Sequence, residues 1–182
     1  FANYSSNPLF YAKNLCLNGE LLSEVSMPEQ LFEIKDYTFN NCDFLVSTII
    51  PNNVTRIGKE AFADCNALTS ITLPNNLKKI DDGAFGGCST LTSIIIPNSV
   101  TSIGEHAFDG CTSLKKVIVP DIAAWCGIDF ADYANPLCYA KHLYSDETTE
   151  VTNLIIPNSV TSIGNVAFYN CSGLTSVTIP NS

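Results

Sequence analysis

The ten residues IIPNSVTSIG occur at positions 95–104 and again, unchanged, at positions 155–164 of a 182-residue chain. No single strand, turn or helix requires ten identical residues, so the duplication indicates internal repeats. A hydrophobic residue followed by proline occurs seven times, and successive prolines are separated by 23, 23, 23, 23, 37 and 23 residues. They are Pro28, Pro51, Pro74, Pro97, Pro120, Pro157 and Pro180. The sequence therefore predicts a solenoid of stacked 23-residue coils.

Other positions keep the same period. Isoleucine stands six residues after the proline, phenylalanine eleven after it and cysteine fourteen after it, each in five repeats. In LTSITLP (68–74), Ile71 and Leu73 alternate with Ser70 and Thr72, as in a strand buried on one face. The proline ends the strand because it cannot donate to a β-ladder. The following GxxAFxxC stretch predicts a short helical turn with its Ala, Phe and Cys facing inward.

The repeat LTSIxIPNSVTSIGxxAFxxC resembles the BspA-type leucine-rich repeat of bacterial surface proteins, which also occurs in some parasitic protists. The resemblance covers nearly the whole chain. It implies an α/β repeat solenoid with a parallel β-sheet on one face and short helical turns on the other. It also implies a cell-surface or secreted protein concerned with adhesion or with the binding of host macromolecules.

A larger repeat encloses the 23-residue unit. FANYSSNPLFYAKNL (1–15) matches FADYANPLCYAKHL (130–143) with one residue inserted, at an offset of 129 residues between Phe1 and Phe130. We therefore expect a single solenoid over 1–182, excised from a longer array. Its predicted parts are a partial insert module with a hairpin at 1–28, four coils at 29–120, an enlarged coil at 121–157 and a last coil at 158–182.

Local signals within the inserts are specific. Asn18-Gly19 predicts a two-residue hairpin turn. Asp121 is suited to cap a short helix that Gly127 closes. Five of the seven tyrosines and the only tryptophan lie in the inserts, where they form either the core of an enlarged coil or a protruding ligand site.

Composition limits the partners. The formal charge of −9 argues against nucleic acid and anionic membranes as partners. No apolar run approaches the ~20 residues of a transmembrane helix, so we expect no membrane insertion of this sequence. No signal peptide is visible in it.

Five of the eight cysteines occupy one core column, where we expect free, buried thiols. Coils offer single thiols along a line, whereas zinc requires three or four ligands around a point. A Cys126–Cys138 disulfide remains open for an oxidising compartment. His106 is predicted on an exposed helical position, and neither histidine accompanies a nucleophile pattern. The sequence predicts no enzyme activity, no catalytic residue, no metal site and no cofactor.

The strand residues two and four positions before each proline should point outward. This face is nearly uncharged, and its four isoleucines form an apolar stripe among serines and threonines. The candidate binding face comprises Ser47, Ile49, Ser70, Thr72, Ser93, Ile95, Lys116, Ile118, Asn153, Ile155, Ser176 and Thr178.

Two functions remain open. One is a binding module that holds an extracellular protein or glycan on the strand face. The other is a structural spacer that presents another domain at the cell surface. In addition, end coils without polar caps predict end-to-end self-association.

Overall fold

The computed structural model describes residues 23–180, together with the backbone of β1 (Cys16–Leu17) and β2 (Glu20–Leu21). These two strands pair antiparallel, with Leu17 opposite Glu20. The pairing is the hairpin that Asn18-Gly19 predicts, although the loop residues themselves lie outside the described part.

Each coil contributes a strand to a first parallel face; the strand of a 23-residue coil lies just before its proline, and the insert adds one strand that no proline follows. The strands are β3 (Glu24–Val25), β5 (Ser47–Ile49), β7 (Ser70–Thr72), β9 (Ser93–Ile95), β11 (Lys116–Ile118), β13 (Leu143–Tyr144), β14 (Asn153–Ile155) and β15 (Ser176–Thr178). Parallel ladders join β3, β5 and β7, then β9, β11 and β13, and finally β14 and β15. Strands β7 and β9 lie side by side between the first two groups. The registers follow the repeat, since Ser47 pairs with Ser70 and Ser93 with Lys116.

A second parallel sheet, which the sequence did not predict, lies where each coil returns. It consists of β4 (Glu33–Ile34), β6 (Arg56–Ile57), β8 (Lys79–Ile80), β10 (Ser102–Ile103) and β12 (Asp129–Phe130), paired in that order. The expectation of a single sheet backed by helical turns is therefore corrected. The described chain is a parallel β-solenoid of the leucine-rich-repeat type, and the α/β description is not confirmed.

The GxxAFxxC stretches of the 23-residue coils are turns and not helices. His106 and its equivalents Tyr37, Glu60 and Gly83 have positive φ angles, which interrupt a right-handed helix. Their neighbours also bond between coils, as when the Phe62 N–H donates to the Ala84 carbonyl at 2.8 Å. The predicted helical position of His106 was thus wrong.

The core is built from columns of identical residues. The rings of Phe39, Phe62, Phe85 and Phe108 stack at centroid distances of 5.2, 5.5 and 5.3 Å. Such stacking adds to the burial of apolar area, because offset aromatic pairs attract one another. Each coil thus offers the next the same surface, which is why IIPNSVTSIG recurs.

The only helices of the described residues lie in the insert. Helix α1 (Ile122–Cys126) begins at Asp121, whose carboxylate accepts from the Ala123 N–H at 2.8 Å, as predicted. Helix α2 (Leu137–Ala140) follows β12. Two buried side chains tie the insert to the last coil: Trp125 Nε1 and Asn135 Nδ2 both donate to the Ala167 carbonyl, each at 2.9 Å.

The boundaries drawn at residues 28, 120 and 157 stay predictions. Within the described part of the chain, no helix is long and apolar enough to cross a membrane.

Candidate interaction surface

The first face presents the predicted isoleucines to solvent. Successive side chains of a strand point to opposite sides, so the central residue of each strand enters the core while its neighbours face outward. Ile94, the central residue of β9, is 1% exposed, whereas Ile95 is 42% exposed. The corresponding fractions for Ile49 and Ile155 are 71% and 67%. Three of the four predicted apolar positions are therefore accessible.

The polar members of this face are small and mostly uncharged. Ser70, Thr72, Asn153, Ser176 and Thr178 are exposed, whereas Ser47, Ser93 and Lys116 are half-buried. Hydroxyl groups bond along the column: Ser47 Oγ donates to Glu24 Oε1 at 3.1 Å and Ser176 Oγ to Asn153 Oδ1 at 2.7 Å. A recess of about 520 Å³ lies where β7 and β9 lead into their prolines, lined partly by Thr72, Ile95, Asn75 and Pro97.

Ile118 corrects the prediction, because its side chain is only 4% exposed. Its ladder partner in the next coil is Tyr144, whose backbone N–H and carbonyl continue the sheet. The Tyr144 ring lies under the ammonium of Lys116, 4.8 Å from Nζ to the ring centroid. Lys116 Nζ also donates to the Glu147 carbonyl at 3.0 Å. Ile118 therefore contributes no accessible apolar surface.

A hairpin formed by residues 143–151 causes this covering, and we call it the insert hairpin. Tyr144 bridges antiparallel to Glu150, and the Val151 N–H donates to the Leu143 carbonyl at 2.8 Å. The turn depends on Asp146, whose carboxylate accepts from the backbone N–H groups of Thr148 and Thr149, both at 2.8 Å. These bonds favour the charged form and hold the pKa of Asp146 well below its usual range.

The aromatic residues of the insert divide between core and surface. Trp125 is buried and meets the Phe130 ring edge-to-face at 5.0 Å. Tyr133 is 73% exposed and stacks on His106 at 5.1 Å. The Tyr139 hydroxyl donates to Asp109, and burial, together with this hydrogen bond, raises the pKa of Tyr139. Tyr4 and Tyr11 lie outside the described residues.

The cysteine column forms a hydrogen-bonded ladder of thiols. The thiol groups of Cys65, Cys88 and Cys111 donate to phenylalanine carbonyls of the preceding coil at 3.0, 3.1 and 3.2 Å. Burial raises the pKa of Cys42 and of Cys111 to about 12, so both remain protonated at neutral pH. Cys126 and Cys138 are free in the structure. No group of three or more potential metal ligands occurs among the described residues.

Sequence reasoning missed that the insert hairpin covers Ile118, because the contacts of this hairpin with β11 join residues outside the repeat. Glu24 lies four residues before Pro28 and is therefore expected on the outward face. Its pairing with Ser47 in the parallel ladder places it in that column.

Several solved structures resemble the chain. The pneumococcal vaccine antigen PcpA is 32% identical, with a TM-score of 0.52, over 53% of this chain and 24% of that one. A leucine-rich cell surface protein of Faecalibacterium prausnitzii A2-165 is 26% identical, with a TM-score of 0.54, over 88% of this chain and 32% of the other. A leucine-rich repeat protein of Bacteroides capillosus is 27% identical, with a TM-score of 0.50, over 54% of this chain and 77% of its own.

The chain thus spans about a quarter to a third of the length of the first two proteins. A comparison with curated protein sequences gives no match. The sequence profile described as "BspA type Leucine rich repeat region" matches residues 12–126 and 141–182 in six copies. Its span exceeds half of the sequence and agrees with the repeat found in the coils. The chain belongs to the BspA-type leucine-rich repeat family.

Proposed function

We propose that this protein is a non-catalytic binding module at the cell surface or in secreted form. It would hold an extracellular protein or glycan on the strand face. The observation that carries the proposal is the exposure of Ile49, Ile95 and Ile155 within a field of serine and threonine. Isolated exposed isoleucines are ordinary, but a column of them on one sheet face forms an apolar strip that a partner can cover.

The charge distribution supports this face over the rest of the surface. The chain carries a formal charge of −9, yet the described face has only Glu24 and Lys116 as charged members of its two outward columns. A neutral surface is cheaper to dehydrate than a charged one, so burial of this face by a partner costs less. Location outside the cell is supported by the similarity to the leucine-rich cell surface protein of F. prausnitzii.

A capture experiment tests the proposal. Wild-type protein and the double variant Ile95→Asp, Ile155→Asp are incubated with immobilised extracellular-matrix proteins, and bound protein is measured. Two carboxylates placed on the apolar strip should abolish capture. Val166→Asp is the matched control, because Val166 is 46% exposed, lies off the strand face and has a φ of 54° that Asp tolerates better than Val. Capture by the double variant at the wild-type level would contradict the strand-face site.

The alternative is a structural spacer. It is favoured by the uniform columns, since identical coils bonded through Thr, Cys and backbone groups make a regular rod. If the protein is a spacer, neither the wild type, the double variant nor Val166→Asp should be captured by the immobilised matrix proteins.

A further inference from the structure

The outward columns of the first five strands have a pattern that inverts about their centre. Four residues before the proline, the column has Glu24 on β3, then Ser47, Ser70 and Ser93, and finally Lys116 on β11. Opposite charges thus stand at the two ends, with small hydroxyl residues between them. With strands about 4.8 Å apart, the two charges are separated by about 19 Å.

The neighbouring column has the matching apolar pattern. Ile49 on β5 and Ile95 on β9 lie one strand to either side of Thr72 on β7. Both isoleucines are exposed, at 71% and 42%, and Thr72 is exposed between them. Over β5, β7 and β9 the apolar pattern is therefore symmetric about β7, while Ser26 and the covered Ile118 at the two ends differ; the charges of the other column are antisymmetric about β7.

We propose that this face pairs with the same face of a second copy of the chain, around a two-fold axis that runs along β7. Such an axis reverses the order of the coils while keeping the strand direction, so β3 of one copy lies opposite β11 of the other. Glu24 then faces Lys116, and Ile49 faces Ile95, twice in each dimer. A two-fold interface requires this self-complementarity: if one residue of the first copy contacts a second residue of the other copy, the second residue of the first copy contacts the first residue of the other.

The residues on the axis fit the arrangement. Ser70 and Thr72 would each meet their own copies, and a hydroxyl group can donate to an identical hydroxyl while accepting from another group. A charged residue at this position would meet its own charge. A two-fold axis along the stack of coils would instead keep the order of the coils and reverse the strand direction, so Glu24 would lie near its own copy and Lys116 near its own copy.

Lys116 is held in place for such a contact. Its ammonium group donates to the Glu147 carbonyl at 3.0 Å and lies over the Tyr144 ring, which leaves donors available for a carboxylate. Within residues 23–180, neither Lys116 nor Glu24 forms an ion pair. The insert hairpin therefore fixes the side chain without neutralising it.

The dimer should be weak. Five strands of up to three residues cover about 19 by 10 Å. That area is well below the roughly 800 Å² per partner of a standard interface, which predicts rapid exchange. The inference goes beyond the proposed function and does not rest on it, because it concerns the purified protein without any external ligand.

Sedimentation equilibrium on the purified protein tests the pairing. Wild type is compared with Glu24→Lys, with Lys116→Glu, with their equimolar mixture and with the double variant. We expect a wild-type dimer with a Kd below about 1 mM. Each single reversal creates two repulsive pairs per dimer and should raise the Kd about tenfold. In a mixed dimer, position 24 of each variant faces the opposite charge at position 116 of the other. The mixture should therefore regain the wild-type Kd, as should the double variant.

Three results would overturn the inference. A wild-type protein that stays monomeric at a concentration of about 1 mM excludes the dimer. Single reversals that leave the Kd unchanged assign the association to another surface, such as the end coils. If both single variants dimerise more weakly and their mixture does not regain the wild-type Kd, the reversed order of coils is excluded. Far-UV circular dichroism checks that each variant is folded, and Val166→Asp should leave the Kd unchanged.

Discussion

Removal of one ring from the phenylalanine column should damage the solenoid most in its middle. Phe85 is fully buried, and its ring stacks on Phe62 at 5.5 Å and on Phe108 at 5.3 Å. Replacement of a buried Phe by Ala costs about 3–5 kcal/mol. Because two ring contacts are lost at once, each worth about 0.5–1.5 kcal/mol beyond area, we expect Phe85→Ala to fall in the upper half of that range.

Phe168→Ala is the matched control. Phe168 belongs to the same column of the last described coil but is only half-buried, so its truncation should cost about half as much. Both variants are unfolded in urea and followed by circular dichroism and by the fluorescence of Trp125, the only tryptophan. Coils contact only their neighbours, so Phe85→Ala should weaken the coupling between the middle coils and the insert. The unfolding transition seen by circular dichroism should then differ in midpoint from the transition seen by Trp125 fluorescence. Equal losses in the two variants, or a loss below about 1.5 kcal/mol for Phe85→Ala, would refute the stacking argument.

Three further outcomes are expected. Asn135→Ala should destabilise the folded protein by about 2–3 kcal/mol in urea unfolding, because it leaves the buried Leu137 N–H without its acceptor. Asn98→Ala, at an exposed turn, should cost less than about 1 kcal/mol. Stability should fall as pH rises from about 8.5 towards 12, since the unfolded Cys42 thiol ionises in this window whereas the folded one does not. Cys42→Ala should make this slope shallower by the contribution of one thiol, because burial raises the pKa of Cys65, Cys88 and Cys111 in the same direction, and an unchanged slope would contradict the assignment. Asp146→Ala should speed hydrogen exchange of the hairpin amide of Val151, measured by NMR, and equal rates in both proteins would exclude a role of the Asp146 turn.

The first sheet could be predicted from the sequence because its positions repeat. Ile71 and Leu73 alternate with polar neighbours, and the same alternation returns every 23 residues. The second sheet has no such signal. Its strands are two residues long, and only one of the two, such as Ile57 or Ile80, is buried. Too few residues alternate to distinguish a strand from a turn.

The turns and the covered part of the face could not be predicted, for two physical reasons. Glu60 and His106 adopt positive φ angles that cannot be predicted from their residue types. Only Gly83, at the equivalent position, is a residue that favours such an angle. Ile118 fits the outward column by periodicity, yet Tyr144 and the insert hairpin cover it. The 23-residue periodicity carries no information about contacts between a repeat and an insert, so only the structure reveals them.

Protection of the strand face by a bound partner tests the central claim most directly. Ser70→Cys places a thiol at the middle of the face, and Val166→Cys places one away from it; maleimide labelling of each site is followed by mass spectrometry. The protein is kept at low micromolar concentration, where self-pairing is negligible, with and without saturating matrix protein. Bound partner should slow labelling at position 70 at least about tenfold and leave position 166 unchanged. Protection at position 166 alone, or at neither position while the partner is bound, would contradict a binding site on the strand face.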